Sequence, residues 1–393
     1  MMYVRDDVKK RLCEVRRLIF DFDGVLIQSL HSFRKNIIKV VDYYFLEILG
    51  LKGRPHLLID LEDVQRFKDT GWFNNDWNLT YAAILYHLST VFRKLVENGV
   101  YEKVKRKLQK LEFTSLQDFL LELKTIGIEL NRRNISVDDL ATDKKSSKFG
   151  LESFLELCES GDPEHIKRAL VRFFPEPRVK NLELASKMIP YDAYRPDLLR
   201  RLFEESFLGG KLFRKFYQET PFFNFKESFM EREEFIPTSE TLEVLVEKTG
   251  KLAIYSERSR KQAIYHLKRK GFLRYFEPEY LVFIEDISAR EKELRRAGVR
   301  AALSKPDPTL FLELVKKCAS KGFVAYVGDS VSDLLMVNNA RKRGADNVYF
   351  FGVLSSSQYK ERLTNRYMEL GADIITYDVN ELAVVFRDIC GGG

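Results

Sequence analysis

Cysteine is scarce in this chain. Four cysteines stand among 393 residues, Cys13, Cys158, Cys318 and Cys390, far apart and with no CxxC pair. That spacing argues against a zinc site or a disulfide framework and suits a reducing compartment, so a cytoplasmic protein is expected. No run of about 18 uncharged apolar residues is long enough to span a bilayer. The opening "MMYVRDDVKKRLCEV" lacks the apolar centre of a signal peptide. Charge of one sign is not concentrated either: 65 Lys and Arg against 58 Asp and Glu give a net +7, with no basic tail. Such a mild excess suits an anionic small molecule and makes a weak case for nucleic acid. The five histidines, His31, His56, His87, His165 and His266, are scattered and form no ligand pattern. The closing "CGGG" reads as a flexible end without chemistry.

What is present is apolar and aromatic. Hydrophobic residues make up 45% of the chain, with 30 Phe and 18 Tyr, enough for packed interiors and too many for disorder. The length calls for two domains. From residue 251 onward, "KLAIYSE" (251–257), "EYLVFIED" (279–286), "FVAYVGD" (323–329), "NVYFF" (347–351) and "ADIITYD" (372–378) read as short buried strands. Helix-like segments at 259–271, 308–322 and 332–344 lie between them, which predicts a parallel sheet covered on both faces. Residues 29–235 instead place apolar residues three and four apart almost throughout, so this span is predicted all-helical. Within it, the polar passage 132–150 reads as a mobile loop. One strand, residues 17–23, precedes the helical span. The simplest organisation is therefore an α/β core of residues 1–28 and 236–393 with a helical domain, 29–235, inserted after its first strand.

The chemistry-bearing residues fall at strand ends. In "RRLIFDFDGVLIQSL" (16–30), Asp21 closes an apolar run and Asp23 follows, then Gly24. Ser256 closes "KLAIYS", Asp329 closes "FVAYVGD", and Asp333 comes four residues later. Open parallel sheets bind ligands beyond the C-terminal ends of their strands, so these groups converge on one crevice. Clustered carboxylates repel one another unless a hard divalent cation sits among them, Mg²⁺ first. In "SKPDPTLF" (304–311), Pro306 biases Lys305 away from helical geometry, while Asp307 and Pro308 suit a helix start. Lys305 is thus placed ahead of a helix N-terminus, a setting that favours anions.

Four stretches in order, "IFDFDGVL", "LAIYSER", "SKPDP" and "VGDSVSDL", resemble the four motifs of the haloacid dehalogenase superfamily. The resemblance covers the core, about half the chain, and implies a Rossmann-like parallel-sheet fold with an inserted helical cap. It also implies roles. Asp21 would be the nucleophile that takes up a phosphoryl group, and Asp23 the acid and then the base. Ser256 and Lys305 would hold phosphoryl oxygens. Asp329, with Asp21 and the Asp23 backbone carbonyl, would bind Mg²⁺, and Asp333 would support Lys305 or the metal shell. The expected activity is Mg²⁺-dependent hydrolysis of a small phosphorylated metabolite. The same core could serve a phosphomutase, a nucleic-acid-end phosphatase or a catalytically idle binding module. Carbon–halogen cleavage is disfavoured by Asp23, because a leaving alkoxide needs a proton and a halide does not.

The inserted domain gives a fainter signal. "FKDTGWFNNDWNLTYA" (67–82) with "FLGGKLFRKFYQETP" (207–221) resembles a subgroup of these hydrolases, with extra material around 130–190. Lys68, Thr70, Gly71 and Asn75 are the candidate substrate contacts there. Asp76 would cap a helix beginning at Trp77, and Asn74 and Asn75 could equally be turn residues. One departure stands out: the subgroup's Thr-Gly-Arg-Pro is here Ser256-Glu257-Arg258-Ser259, which keeps the hydroxyl and adds an acid beside it.

Overall fold

A computed structural model describes residues 3–29, 32–73, 75–111, 115–174, 182–191, 198–299, 301–318 and 322–391. His31, Asn74 and the last two glycines lie outside them. The chain divides into two compact units, residues 1–31 with 233–393 and residues 32–232.

The first unit is built on a seven-stranded sheet in the order β1-β7-β6-β5-β2-β3-β4. The strands are β1 (Tyr3–Val4), β2 (Val15–Phe20), β3 (Leu252–Tyr255), β4 (Phe276–Val282), β5 (Phe323–Gly328), β6 (Val348–Val353) and β7 (Ile374–Thr376). All pairings are parallel except β1 with β7, an antiparallel edge of two residues too short to leave a periodic signal. Parallel strands are covered on both faces, and successive residues alternate between two apolar clusters. Leu18 and Phe20 of β2, Leu252 and Ile254 of β3 and Ala325 and Val327 of β5 share one cluster. Ile19, Ala253, Tyr255, Val324 and Tyr326 share the other. This alternation holds the register that the site depends on: Phe20 lies opposite both Ile254 and Val327, so β2, β3 and β5 end level with one another.

Three expectations need correcting here. The strand predicted over 279–286 runs from Phe276 to Val282 and gives way to the helix Ile284–Arg296. The Asp286 carboxylate accepts the Phe283 amide at 2.8 Å and so starts a helix inside the apolar run. The cysteine spacing was expected to exclude disulfides, yet Cys13 and Cys390 are bonded, with Cα atoms 5.5 Å apart. Their 377-residue separation hides a contact made by the short helical turn Leu12–Glu14 and the final helix Val379–Cys390. The end of the chain therefore does carry chemistry, and cysteine usage no longer argues for a reducing compartment. Cys158 and Cys318 are buried thiols.

The second unit contains no strand among the described residues. At its centre the helix Asp76–Glu97 is buried on most of its surface, from Leu79 through Phe92, as expected for a helix apolar all round. The third correction falls here. The passage 132–150, expected as a mobile loop, contains the helix Val137–Lys144. Ser136 and Asp139 form a reciprocal capping box, with Ser136 Oγ accepting the Asp139 amide at 3.2 Å and Asp139 Oδ2 accepting the Ser136 amide at 3.0 Å. Lys144 then reaches the buried Asp63 carboxylate at 2.5 Å. The polar residues that suggested a loop are spent on a cap and a buried ion pair. No helix among the described residues is long and apolar enough to cross a membrane.

Candidate active site

Level strand ends bring the predicted residues together. The Asp21 amide donates to the Val327 carbonyl at 2.9 Å, which extends the β2–β5 ladder by one residue and fixes the Asp21 backbone. Its side chain accepts from Lys305 Nζ at 2.6 Å on Oδ2 and from the Phe22 amide at 2.6 Å on Oδ1. Lys305 Nζ also lies 2.8 Å from Asp333 Oδ1. Burial works against the Lys305 ammonium, but the charges of Asp21 and Asp333 outweigh it and hold its pKa well above the ordinary lysine value. Asp21 is pushed upward, by burial first, against the pull of Lys305 and of a hydrogen bond from Ser256.

Asp333 does two things at once. Its Oδ2 accepts the Ser330 amide at 3.0 Å in the capping box of the helix Val331–Lys342, while Oδ1 faces Lys305 and the Tyr326 hydroxyl. The first-turn acid and the lysine partner are one carboxylate. Lys305 is held through its backbone as well: its amide donates to Glu257 Oε1 at 2.7 Å. The extra acid beside Ser256 therefore anchors the lysine loop. The helix after that loop begins at Thr309, whose amide is accepted by Asp307 Oδ1 at 2.8 Å, while the Pro308 carbonyl accepts the Leu312 amide.

Asp329 is placed differently. Its Oδ2 accepts from Ser356 Oγ at 2.5 Å and rests against Gly24. A Cβ at Gly24 would come within 1.9 Å of that oxygen, and Gly24 has φ +74°, so this turn requires glycine twice over. Burial, then the charges of Asp333 and Asp21, push Asp329 up to about 7.

The sequence matches the profile of the haloacid dehalogenase-like hydrolases over residues 15–341. The chain belongs to that family. An X-ray structure solved as a structural-genomics target has the same fold, with a TM-score of 0.63 at 17% identity over 96% of this chain and 100% of that one. A crystal structure described as a predicted phosphoglycolate phosphatase from Haemophilus somnus 129pt gives 0.40 at 12% identity, covering 95% and 98%. A haloacid dehalogenase-like protein of unknown function from Agrobacterium tumefaciens gives 0.38 at 14% identity, covering 96% and 99%. No curated protein matches the sequence.

In this hydrolase, carboxylate oxygens of Asp21, Asp329 and Asp333 lie within 4.8 Å of one another. Lys305 Nζ pairs with two of the three, Asp21 and Asp333. An all-oxygen, partly buried donor set of this kind fits a hard divalent cation. The carboxylate of Asp23 is not in that group. It turns to Arg258, whose Nη1 donates to Asp23 Oδ1 at 2.6 Å.

The candidate substrate contacts lie together in the helical unit, from Lys68 in the last turn of the helix Leu61–Asp69 to Asn75 just ahead of the helix Asp76–Glu97. Each has a local task. Lys68 pairs with Asp76 at 2.6 Å. Thr70 Oγ1 donates to the Phe67 carbonyl at 2.7 Å, and Gly71 turns the chain with φ +79°. Asn75, rather than Asp76, caps the second helix by accepting the Trp77 and Asn78 amides at 3.0 and 3.1 Å. Ser356, Arg258, Glu233 and His266 received no role from the sequence. Only Arg258 left a local hint, two residues after Ser256.

Proposed function

We propose that the chain is a phosphatase that cleaves phosphate monoesters of a small organic phosphate through a covalent phosphate on Asp21. The observation that carries this reading is the placement of Asp21: its carboxylate sits at the level end of three strands, held by Lys305 and grouped within 4.8 Å with oxygens of Asp329 and Asp333. A carboxylate so held suits a nucleophile beside a cation site. Mg²⁺, held by Asp21, Asp329 and the Asp23 backbone carbonyl, would neutralise charge between carboxylate and phosphate. Lys305 and Ser256 then bind the phosphoryl oxygens and orient the phosphorus to Asp21.

Asp21 attacks, and the bond from phosphorus to the ester oxygen breaks. Its electron pair goes to that oxygen, which takes a proton from Asp23. In the second half-reaction Asp23 removes a proton from water as the water oxygen attacks phosphorus, and the electrons of the broken bond return to Asp21. Asp333 keeps Lys305 in place throughout. We assign residues 29–235 the choice of substrate, with Lys68, Thr70, Gly71 and Asn75 as the segment to probe. The test is p-nitrophenyl phosphate hydrolysis with and without Mg²⁺, with Asp21→Asn beside the wild type. Turnover that requires both the ion and Asp21 supports the mechanism, and turnover retained in Asp21→Asn refutes it.

A further inference from the structure

The core holds a second ionic arrangement that meets the mechanism above only at Asp23. Arg258 Nη1 reaches Asp23 Oδ1 at 2.6 Å, and its Nη2 reaches Glu233 Oε2 at 2.5 Å. His266 Nε2 lies 2.8 Å from the same Glu233 oxygen. The side chains of Arg258 and Glu233 are fully buried, whereas that of Asp23 is 27% exposed. The network thus runs from a dry interior to one partly open carboxylate.

We propose that Arg258, anchored by Glu233 and His266, is a positioning residue that aims the Asp23 carboxylate at the leaving oxygen; this rests on the phosphatase reading. Burying a guanidinium costs several kcal/mol unless charged partners surround it. Glu233 is the partner that shares its dry site, so the contact with the more exposed Asp23 has a separate consequence. It fixes a short side chain that would otherwise rotate in a polar turn, and a planar guanidinium fixes direction as well as charge.

The surroundings hold Arg258 from several sides. Its amide donates to Ser256 Oγ at 3.3 Å, so one two-residue turn sets both the phosphate-binding hydroxyl and the guanidinium. Its guanidinium lies 5.2 Å from the ring of Phe22, the residue between the two aspartates. The anchor is tied to the same place: the Gln28 amide donates to the Glu234 carbonyl and the Ile236 amide to the Leu26 carbonyl, both at 2.9 Å. Glu233 is therefore fixed to the turn that carries Asp23.

The experiment uses the full chain with Mg²⁺ and two esters of similar size, phenyl phosphate and p-nitrophenyl phosphate. Nitrophenolate departs without a proton, while the far more basic phenolate depends on one. kcat/KM reports formation of the phosphoenzyme, so misdirecting the acid shows there. Arg258→Lys and Glu233→Gln are each expected to lower kcat/KM for phenyl phosphate at least about tenfold more than for p-nitrophenyl phosphate, within the range of a general acid's contribution. A merely structural role lowers both esters equally, and that result overturns the proposal. Where Arg258→Lys does not fold cooperatively, the shape-preserving Glu233→Gln decides. Wild-type turnover of neither ester overturns the phosphatase reading itself, whereas parallel losses on both overturn only the role of Arg258.

Discussion

Asp329 offers the sharpest quantitative prediction. Burial and two neighbouring aspartates raise its carboxyl from 3.8 to about 7 in the folded chain without a cation. Between those values the folded state binds a proton that the unfolded chain has lost, so this group's contribution to stability falls as pH rises toward 7. At 1.36 kcal/mol per tenfold change, the full shift amounts to at most about 4 kcal/mol of destabilisation above pH 7. Half of that moves Tm by roughly 4–8 °C in a domain of this size. A divalent cation bound to the ionised carboxylate reverses the effect, and proton competition at a group of about 7 weakens its affinity about tenfold between pH 8 and pH 6. Thermal unfolding in EDTA and in Mg²⁺ at the two pH values measures this directly. Wild type is expected to gain several degrees from Mg²⁺ at pH 8 and clearly less at pH 6. Asp329→Asn is expected to exceed wild type in EDTA at pH 8 and to lose the Mg²⁺ response. An equal Mg²⁺ effect at both pH values, or a full response in Asp329→Asn, would refute the reasoning.

Other substitutions test neighbouring parts of the site. Gly24→Ala places a methyl against the Asp329 carboxylate at a left-handed backbone position, a strain of about 1–2 kcal/mol, and is expected to abolish the Mg²⁺-dependent rise in Tm. Lys305→Met leaves Asp21 and Asp333 without their shared buried partner and should cost about 3–5 kcal/mol in denaturant unfolding at pH 8, with no turnover of p-nitrophenyl phosphate. Cys13→Ser should lower Tm under non-reducing conditions by the equivalent of up to about 5 kcal/mol and remove any sensitivity to dithiothreitol; an unchanged Tm would argue against the bond in solution.

The sequence was most informative where one periodicity ran uninterrupted. Apolar runs at β2, β3 and β5 announced buried parallel strands, and their ends carried Asp21, Ser256 and Asp329, because a strand that terminates at a crevice must switch abruptly from apolar to polar. The same rule failed at 279–286, where an aspartate three residues ahead captured a backbone amide and turned the run into a helix. It failed again at 132–150, whose polarity reflects capping and a buried Lys144–Asp63 pair. Contacts between distant segments left no pattern at all. Neither the Cys13–Cys390 bond nor the approach of Glu233 and His266 to Arg258 follows from spacing, since each depends on where the fold returns the chain. Asp23 shows a subtler gap. Its motif announced a carboxylate at the crevice, but only the fold brings to it the arginine two residues past Ser256 that holds it.

The bond between Cys13 and Cys390 has a topological consequence. The core is assembled from two lengths of chain, 1–31 and 233–393, whose peptide connection runs through the whole helical unit. The disulfide joins those lengths a second time, at opposite ends of the polypeptide. The backbone thereby becomes a ring, and a single cut anywhere in 32–232 opens the ring without releasing either length. Under oxidising conditions the strand bearing Asp21 thus stays covalently attached to the strands bearing Ser256 and Asp329 even after the insertion has been nicked.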